Sequence, residues 1–242
     1  MLRWRISFSR GEEVKFISHL DLMRLWERAF RRAGVPLAYS QGFSPHPKLS
    51  LAAPLALGIT SQAELMDIFL TRPVSDRYLV GALSQQLPRG IDIRDARPVA
   101  PLAPSLPSQV RSAEYRVEAL SDGSSQEVEA ALASLLAAQS LPWQHTRDTG
   151  VRHYDLRALV LDLWLMDNEG SRCLLGMRLR ADSSGSGRPE QVVAALGFPV
   201  PPLSIHRTEL ILAPREAVAP RGERAPREHP GRATVAGPGR RP

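Results

Sequence analysis

Residues 2–9, Leu2-Arg3-Trp4-Arg5-Ile6-Ser7-Phe8-Ser9, set Trp4, Ile6 and Phe8 on one side of an extended chain and Arg3, Arg5 and Ser7 on the other. Period-two alternation of this kind predicts a β-strand. The spacing then changes to a helical one from Ser18 to Ala33, with Met23, Trp26 and Phe30 on the apolar side. Ser18 can cap this helix, Asp21 stands where a capping box places an acid, and Gly34 and Pro36 stop it. Strands over 37–40, 48–53 and 63–70, a helix over 76–87 and a strand over 91–98 complete a βαβ(β)βαβ order.

The second half repeats that order. A strand over 114–120 leads into a helix over 125–139 with apolar spacing at Val128, Leu132, Leu135 and Leu136. A short strand over 142–146 and a hairpin of 157–167 with 173–181 follow, the latter turning at Asn168-Glu169-Gly170. Pro189 opens a helix over 189–196, and 205–212 closes the unit. Two successive βαββαβ units predict an α+β fold of two tandem ferredoxin-like domains, 1–100 and 112–212. Between them Pro101, Pro104 and Pro107, at spacing three, predict an extended polyproline linker. Residues 213–242 hold six Pro, four Gly, seven Arg and no aromatic residue, a composition that predicts a disordered tail. That tail is either a nonspecific RNA tether or a dispensable extension.

The chain has 242 residues, 43% hydrophobic and 23% charged, enough for a sizeable core. Its one cysteine, Cys173, excludes a disulfide framework, a cysteine zinc site and a cysteine-held iron–sulfur cluster from this chain alone, and suits a reducing cytoplasm. No apolar run approaches the length of a membrane span, and the N-terminus does not read as a signal peptide. The net charge of +6 is uneven: +5 over 1–50, −3 over 51–212 and +4 over 213–242. Localised positive charge attracts polyanions such as RNA, though it also serves solubility.

The candidate site residues fall mostly in the first half. The loop Tyr39-Ser40-Gln41-Gly42-Phe43-Ser44-Pro45-His46-Pro47-Lys48 joins a flexible glycine, two prolines, an aromatic and several donors. It can offer backbone amides and a cation to phosphate, with Tyr39 or Phe43 as a stacking face. Its structural alternative is a rigid hairpin connection with Phe43 plugged into the core. His19 is either a boundary residue on the apolar side or a general acid/base or RNA contact. Arg24, Arg28, Arg31 and Arg32 form a basic stripe on the same helix, by default a solvated face. Asp67, on the strand face of Leu65 and Phe69, needs a partner such as His19, His46 or an arginine. Arg188 ends a glycine–serine loop that opens onto a helix, either an anion site or a plain loop. There is no Gly-x-Ser-x-Gly elbow, no His-Glu-x-x-His and no Gly-x-Gly-x-x-Gly after a strand, and no metal or cofactor is expected.

The motifs Lys15-Phe16-Ile17-Ser18-His19-Leu20-Asp21-Leu22-Met23-Arg24 and 39–50 resemble the bacterial radical-SAM-linked domain of unknown function. So do Pro54-Leu55-Ala56-Leu57-Gly58-Ile59 and Ala63-Glu64-Leu65-Met66-Asp67-Ile68, with weaker matches at 154–157 and 187–190. The resemblance covers about residues 1–212. It implies a radical SAM protein as partner in trans more than it implies a reaction. This chain lacks the Cys-x-x-x-Cys-x-x-Cys run of a radical SAM cluster, so it is not that enzyme itself. Ser44 stands where the family pattern often has Asn, which removes an amide contact from the loop.

Three readings follow. The first is a cytoplasmic, noncatalytic accessory module that binds RNA through His19, Tyr39, Gln41, Gly42, Phe43, His46, Lys48, Asp67 and Arg188. The second is a protein-interaction adaptor without nucleic acid. The third, by fold-level analogy with the repeat-cleaving RNA endonucleases of CRISPR systems, is an RNA-processing enzyme with His19 as acid/base. The site is expected where the first helix meets the Gly-Phe-Ser-Pro loop.

Overall fold

A computed structural model of the chain describes residues 1–100, 102–147 and 150–214. The tail expected over 213–242 lies outside the described residues from 215 onward. In strand β1 (Leu2–Arg10) the alternation is realised, with Ile6 and Phe8 fully buried. They pack on helix α1 (His19–Arg32), where Trp26 lies 5.0 Å from Phe8 and 5.5 Å from Phe30 between ring centroids. Ser18 caps α1, its hydroxyl accepting from the Asp21 amide at 3.1 Å.

β1 runs between β3 (Thr60–Leu70) and β4 (Ile93–Val99), antiparallel to both, and the short β2 (Leu49–Leu51) pairs outside β3. Helix α2 (Asp76–Ser84) adds Leu79 and Leu83 to the cluster around Trp26. In the second half β5 (Val110–Leu120) lies between β9 (Arg172–Asp182) and β11 (Ser204–Leu212), with β8 (Val160–Glu169) outside β9. Helices α4 (Ser125–Ala137) and α5 (Pro189–Ala195) cover it. Within each half the four principal strands therefore run second, third, first, fourth, with antiparallel neighbours throughout.

The two halves are joined through one sheet, where two independent sheets were expected. β11 lies parallel to β3 through His206–Thr60 and Arg207–Ser61, so one mixed nine-stranded sheet runs through both halves. The cause is a mismatch of strand lengths. β3 has 11 residues and β2 only three, paired at the Met66–Ile68 end, so the Thr60 end of β3 is left for β11. The two cores grip β3 from opposite faces: Met66, Ile68 and Leu70 join α1 and α2, whereas Leu65 joins the cluster of α4 and α5.

The linker is also corrected. Its described residues are not an extended spacer but a packed cover, with Leu106 of the short helix α3 (Leu106–Gln109) fully buried. The reason lies in β1, whose polar side does not face water. Arg3 donates to the carbonyls of Ala103 and Pro104, both at 2.7 Å, and so ties the linker down across the sheet. A hairpin of β6 (Pro142–Arg147) and β7 (Gly150–Asp155) stands apart as a two-stranded sheet, and the sequence reading had no second strand there. Arg157, expected at the start of a strand, instead belongs to a 3-10 turn, where its guanidinium donates to the Leu136 and Val160 carbonyls. After β9 the chain turns back into the two-residue β10 (Gly185–Ser186), which pairs with β9 ahead of α5.

Candidate functional site

The expected junction of α1 with the 39–48 loop does not form. The loop is anchored at the Leu70 end of β3: Leu37 bridges Leu70, the Ala38 amide donates to Phe69 O at 2.7 Å and the Phe69 amide donates to Lys48 O at 3.3 Å. His19 opens α1 at the other end of the sheet, where the Gly58 amide donates to Lys15 O at 2.9 Å. Fourteen helical residues separate the two, about 20 Å. Lys15 and Lys48 lie at these opposite ends as well, and Lys15 pairs with Glu12 at 2.6 Å.

Within the loop Tyr39 bridges Pro47, and Ser40 and His46 exchange two hydrogen bonds, amide to carbonyl at 2.9 Å and amide to hydroxyl at 3.0 Å. Gly42 adopts a φ of 128°, which a side chain would resist. Phe43 is fully exposed and is not plugged into the core. Gln41 and His46 are exposed beside it, and Lys48 is half-buried. His19 is exposed rather than on the apolar side, and makes no hydrogen bond among the described residues.

Asp67 takes the arginine alternative. It is fully buried, and its carboxylate accepts from Arg3 Nε at 2.8 Å and Nη2 at 2.5 Å and from Arg5 Nε at 2.7 Å. Neither His19 nor His46 reaches it. The three side chains fill the space between β1, β3 and the linker, which places Asp67 in the architecture of the sheet.

Arg188 stands elsewhere, in a cleft of about 760 Å³ over the seam between the halves. One wall is the 52–59 segment, with Pro54, Leu55 and Ile59; the other is the 181–190 loop. At the floor Arg207 is held by Glu64 and by the Pro54 and Ala53 carbonyls at 3.4 Å, so its charge is balanced. Three further arginines reach the cleft from separate segments. Arg111, after α3, is steadied by the Ser108 and Val110 carbonyls at 2.9 and 3.1 Å. Arg152 comes from β7 and meets no acid among the described residues. Arg188 lies 3.6 Å from Glu190, a loose pair. Asp182 also lines the cleft and faces Arg180 at 3.9 Å. Three cations around an apolar-walled slot can hold an anion of extended shape. No cluster of His, Cys, Asp and Glu among the described residues is arranged to hold a metal. No helix among them is long and apolar enough to cross a membrane.

Of the cleft residues, sequence reasoning singled out Arg188 alone. Arg111 and Arg152 carry no local signature, because the cleft is assembled from segments as distant in the chain as Ala52 and Arg207. Glu64 and Arg207 left no clear one either, since each shares its strand with other polar residues, Gln62 and Asp67 in β3 and His206, Thr208 and Glu209 in β11.

A family model described as "Uncharacterized protein conserved in bacteria (DUF2344)" matches residues 3–189. No curated protein matches the chain. Among solved structures, one chain in a crystal structure of a Cbf5–Nop10–Gar1 complex is similar with a TM-score of 0.48 and 10% identity, over 86% of this chain and 48% of that one. A chain of the archaeal box H/ACA sRNP Nop10–Cbf5 complex gives 0.44 and 10% over 86% and 48%. One from an H/ACA RNP bound to a substrate RNA containing 2′-deoxyuridine gives 0.42 and 9% over 86% and 46%. The chain spans about half the length of these structures' chains.

Proposed function

The chain belongs to the conserved bacterial family whose model spans residues 3–189, and from that premise we propose that it is a noncatalytic accessory module that binds RNA in the seam cleft. The observation that carries this reading is the set of three arginines, Arg111, Arg152 and Arg188, brought to one apolar-walled slot from three segments. A polyanion fits such a slot, and the charge of +5 over the first fifty residues adds to the attraction. A radical SAM protein is its partner in trans, supported by the resemblance of the 15–24 and 39–50 motifs. Each half is read as a ferredoxin-like unit on the strength of its strand order. A single free cysteine supports a cytoplasmic setting.

A second reading, a protein-interaction adaptor, is favoured by one observation. Phe16, Leu20 and Leu57 are 73, 66 and 61% exposed at the head of α1, with Phe16 lying 3.5 Å from where a Cβ of Gly58 would stand. Apolar side chains grouped at that density are a docking feature.

The deciding experiment is binding of labelled bulk transfer RNA across a salt series. Wild type is compared with the Arg111→Ala, Arg152→Ala, Arg188→Ala triple variant. Three lost phosphate contacts reduce the slope of log affinity against log salt by about 2–3. No binding at low salt, or an unchanged slope, overturns the cleft reading. Recovery of a stoichiometric radical SAM protein without nucleic acid moves the assignment to the adaptor.

A further inference from the structure

Among the described residues, the C-terminal half keeps one face of its sheet free of helices. α4 and α5 cover the side that carries Tyr115, Val117, Leu175 and Met177, and the alternate residues face away from them. On that open side one row crosses five strands. Trp164 of β8 is paired with Gly176 of β9, Gly176 with Arg116 of β5, Arg116 with His206 of β11, and His206 with Thr60 of β3.

The indole of Trp164 occupies the place where a Cβ on Gly176 would stand. Glycine inside a strand marks such a close approach, and here it lets the ring lie on the sheet. Arg116, next in the row, is exposed and meets no acid among the described residues. The flanking acids are already satisfied: Glu114 pairs with Arg178 at 2.6 Å and Glu118 with Arg172 at 2.7 Å. His206 shares a 2.8 Å hydrogen bond with the Thr60 hydroxyl. Burial, with Arg116 and Arg94 adding to it and Glu12 opposing, lowers its pKa.

We propose that this row is a nucleotide-binding platform for single-stranded RNA, on which one unpaired base stacks against Trp164 while its phosphate meets Arg116. A flat aromatic beside an uncompensated guanidinium is the chemistry that holds an unpaired nucleotide without reading its sequence. The proposal rests on the RNA reading above only for the class of ligand. The cleft, floored by Tyr115 and Arg207, opens on the other side of the sheet. A tryptophan over a strand glycine is also a packing device. Packing alone does not account for an arginine left without an acid between two satisfied pairs.

The test uses the full chain and a fluorescein-labelled single-stranded oligoribonucleotide of about eight residues, at low salt. Binding is expected to quench tryptophan fluorescence. Trp164→Leu and Arg116→Ala are each expected to weaken it about tenfold, with Trp164→Phe retaining most of it. A duplex of the same sequence competes poorly, because its bases are not free to stack. Equal binding by wild type, Trp164→Leu and Arg116→Ala overturns the platform, and so does absence of binding to wild type. Arg116 is exposed, so its variant decides the matter even if Trp164→Leu loses its fold. If the oligonucleotide is not bound while bulk transfer RNA is, the platform fails and the cleft reading stands. If neither is bound, both fall.

Discussion

Replacing Asp67 with asparagine removes the acid that two buried guanidiniums share. Arg3 and Arg5 are 8 and 6% exposed and Asp67 is 0% exposed, so water does not screen the charges left behind. Breaking a buried pair from one side costs about 3–5 kcal/mol, because the surviving charge is desolvated and unpaired. The Ala103 and Pro104 carbonyls still hold Arg3, which keeps the expected loss near the middle of that range, about 4 kcal/mol. For a chain of this length each kcal/mol moves the melting temperature by about 2–4 °C, so Asp67→Asn is expected to melt about 8–16 °C below wild type. In urea the midpoint falls with an unchanged slope. Replacing all three side chains with Leu or Met recovers most of the loss, since the desolvation cost disappears together with the pair. An Asp67→Asn drop below about 4 °C would show the triad to be no stronger than a surface pair and refute the reasoning.

Three further outcomes are expected. The Cys173 thiol is pushed up to about 11 by burial, so Ellman's reagent at about pH 8 should titrate it only in denaturant; rapid reaction of the native protein contradicts the packing. The Leu141 and Arg157 amides, 2.8 and 2.9 Å away, hold the Asp155 carboxyl below its usual range. A folded-state pKa depressed in this way gives stability that is present above the unfolded value, about 3.9, and lost as pH falls through the folded one. Melts in acid should therefore steepen for wild type and flatten for Asp155→Asn; parallel curves would exclude the linkage. Gly176→Ala must displace Trp164, at a cost of about 1–3 kcal/mol in urea unfolding, whereas an unchanged midpoint would mean the ring does not lie on the glycine.

Much of the fold was legible because it is written locally. Trp4, Ile6 and Phe8 alternate, Ser18 caps its helix, and the βαββαβ order of each half follows from such signals. What was not legible is non-local. Nothing near Thr60 shows that its edge is completed by His206, and nothing in 100–112 shows that Arg3 will claim two of its carbonyls. The site suffered for the same reason. His19 and the 39–48 loop are neighbours in the chain, but α1 carries them to opposite ends of the sheet. Arg111, Arg152 and Arg188 are far apart in the chain and line one cleft beside the seam. Asp67 was rightly read as a carboxylate in need of a partner; which partner depended on strand register.

The parallel seam also sets a timetable. Thr60 and His206 are 146 residues apart, so on a ribosome adding about 5–20 residues per second the Thr60 end of β3 waits about 7–30 s for its neighbour. During that interval the nascent N-terminal half shows an open strand edge, a template for pairing with other chains. Glu64 sits on that edge, and until Arg207 arrives its carboxylate lacks that partner and is left to water. The residue that later bolts the halves together thus first guards the unfinished edge against aggregation.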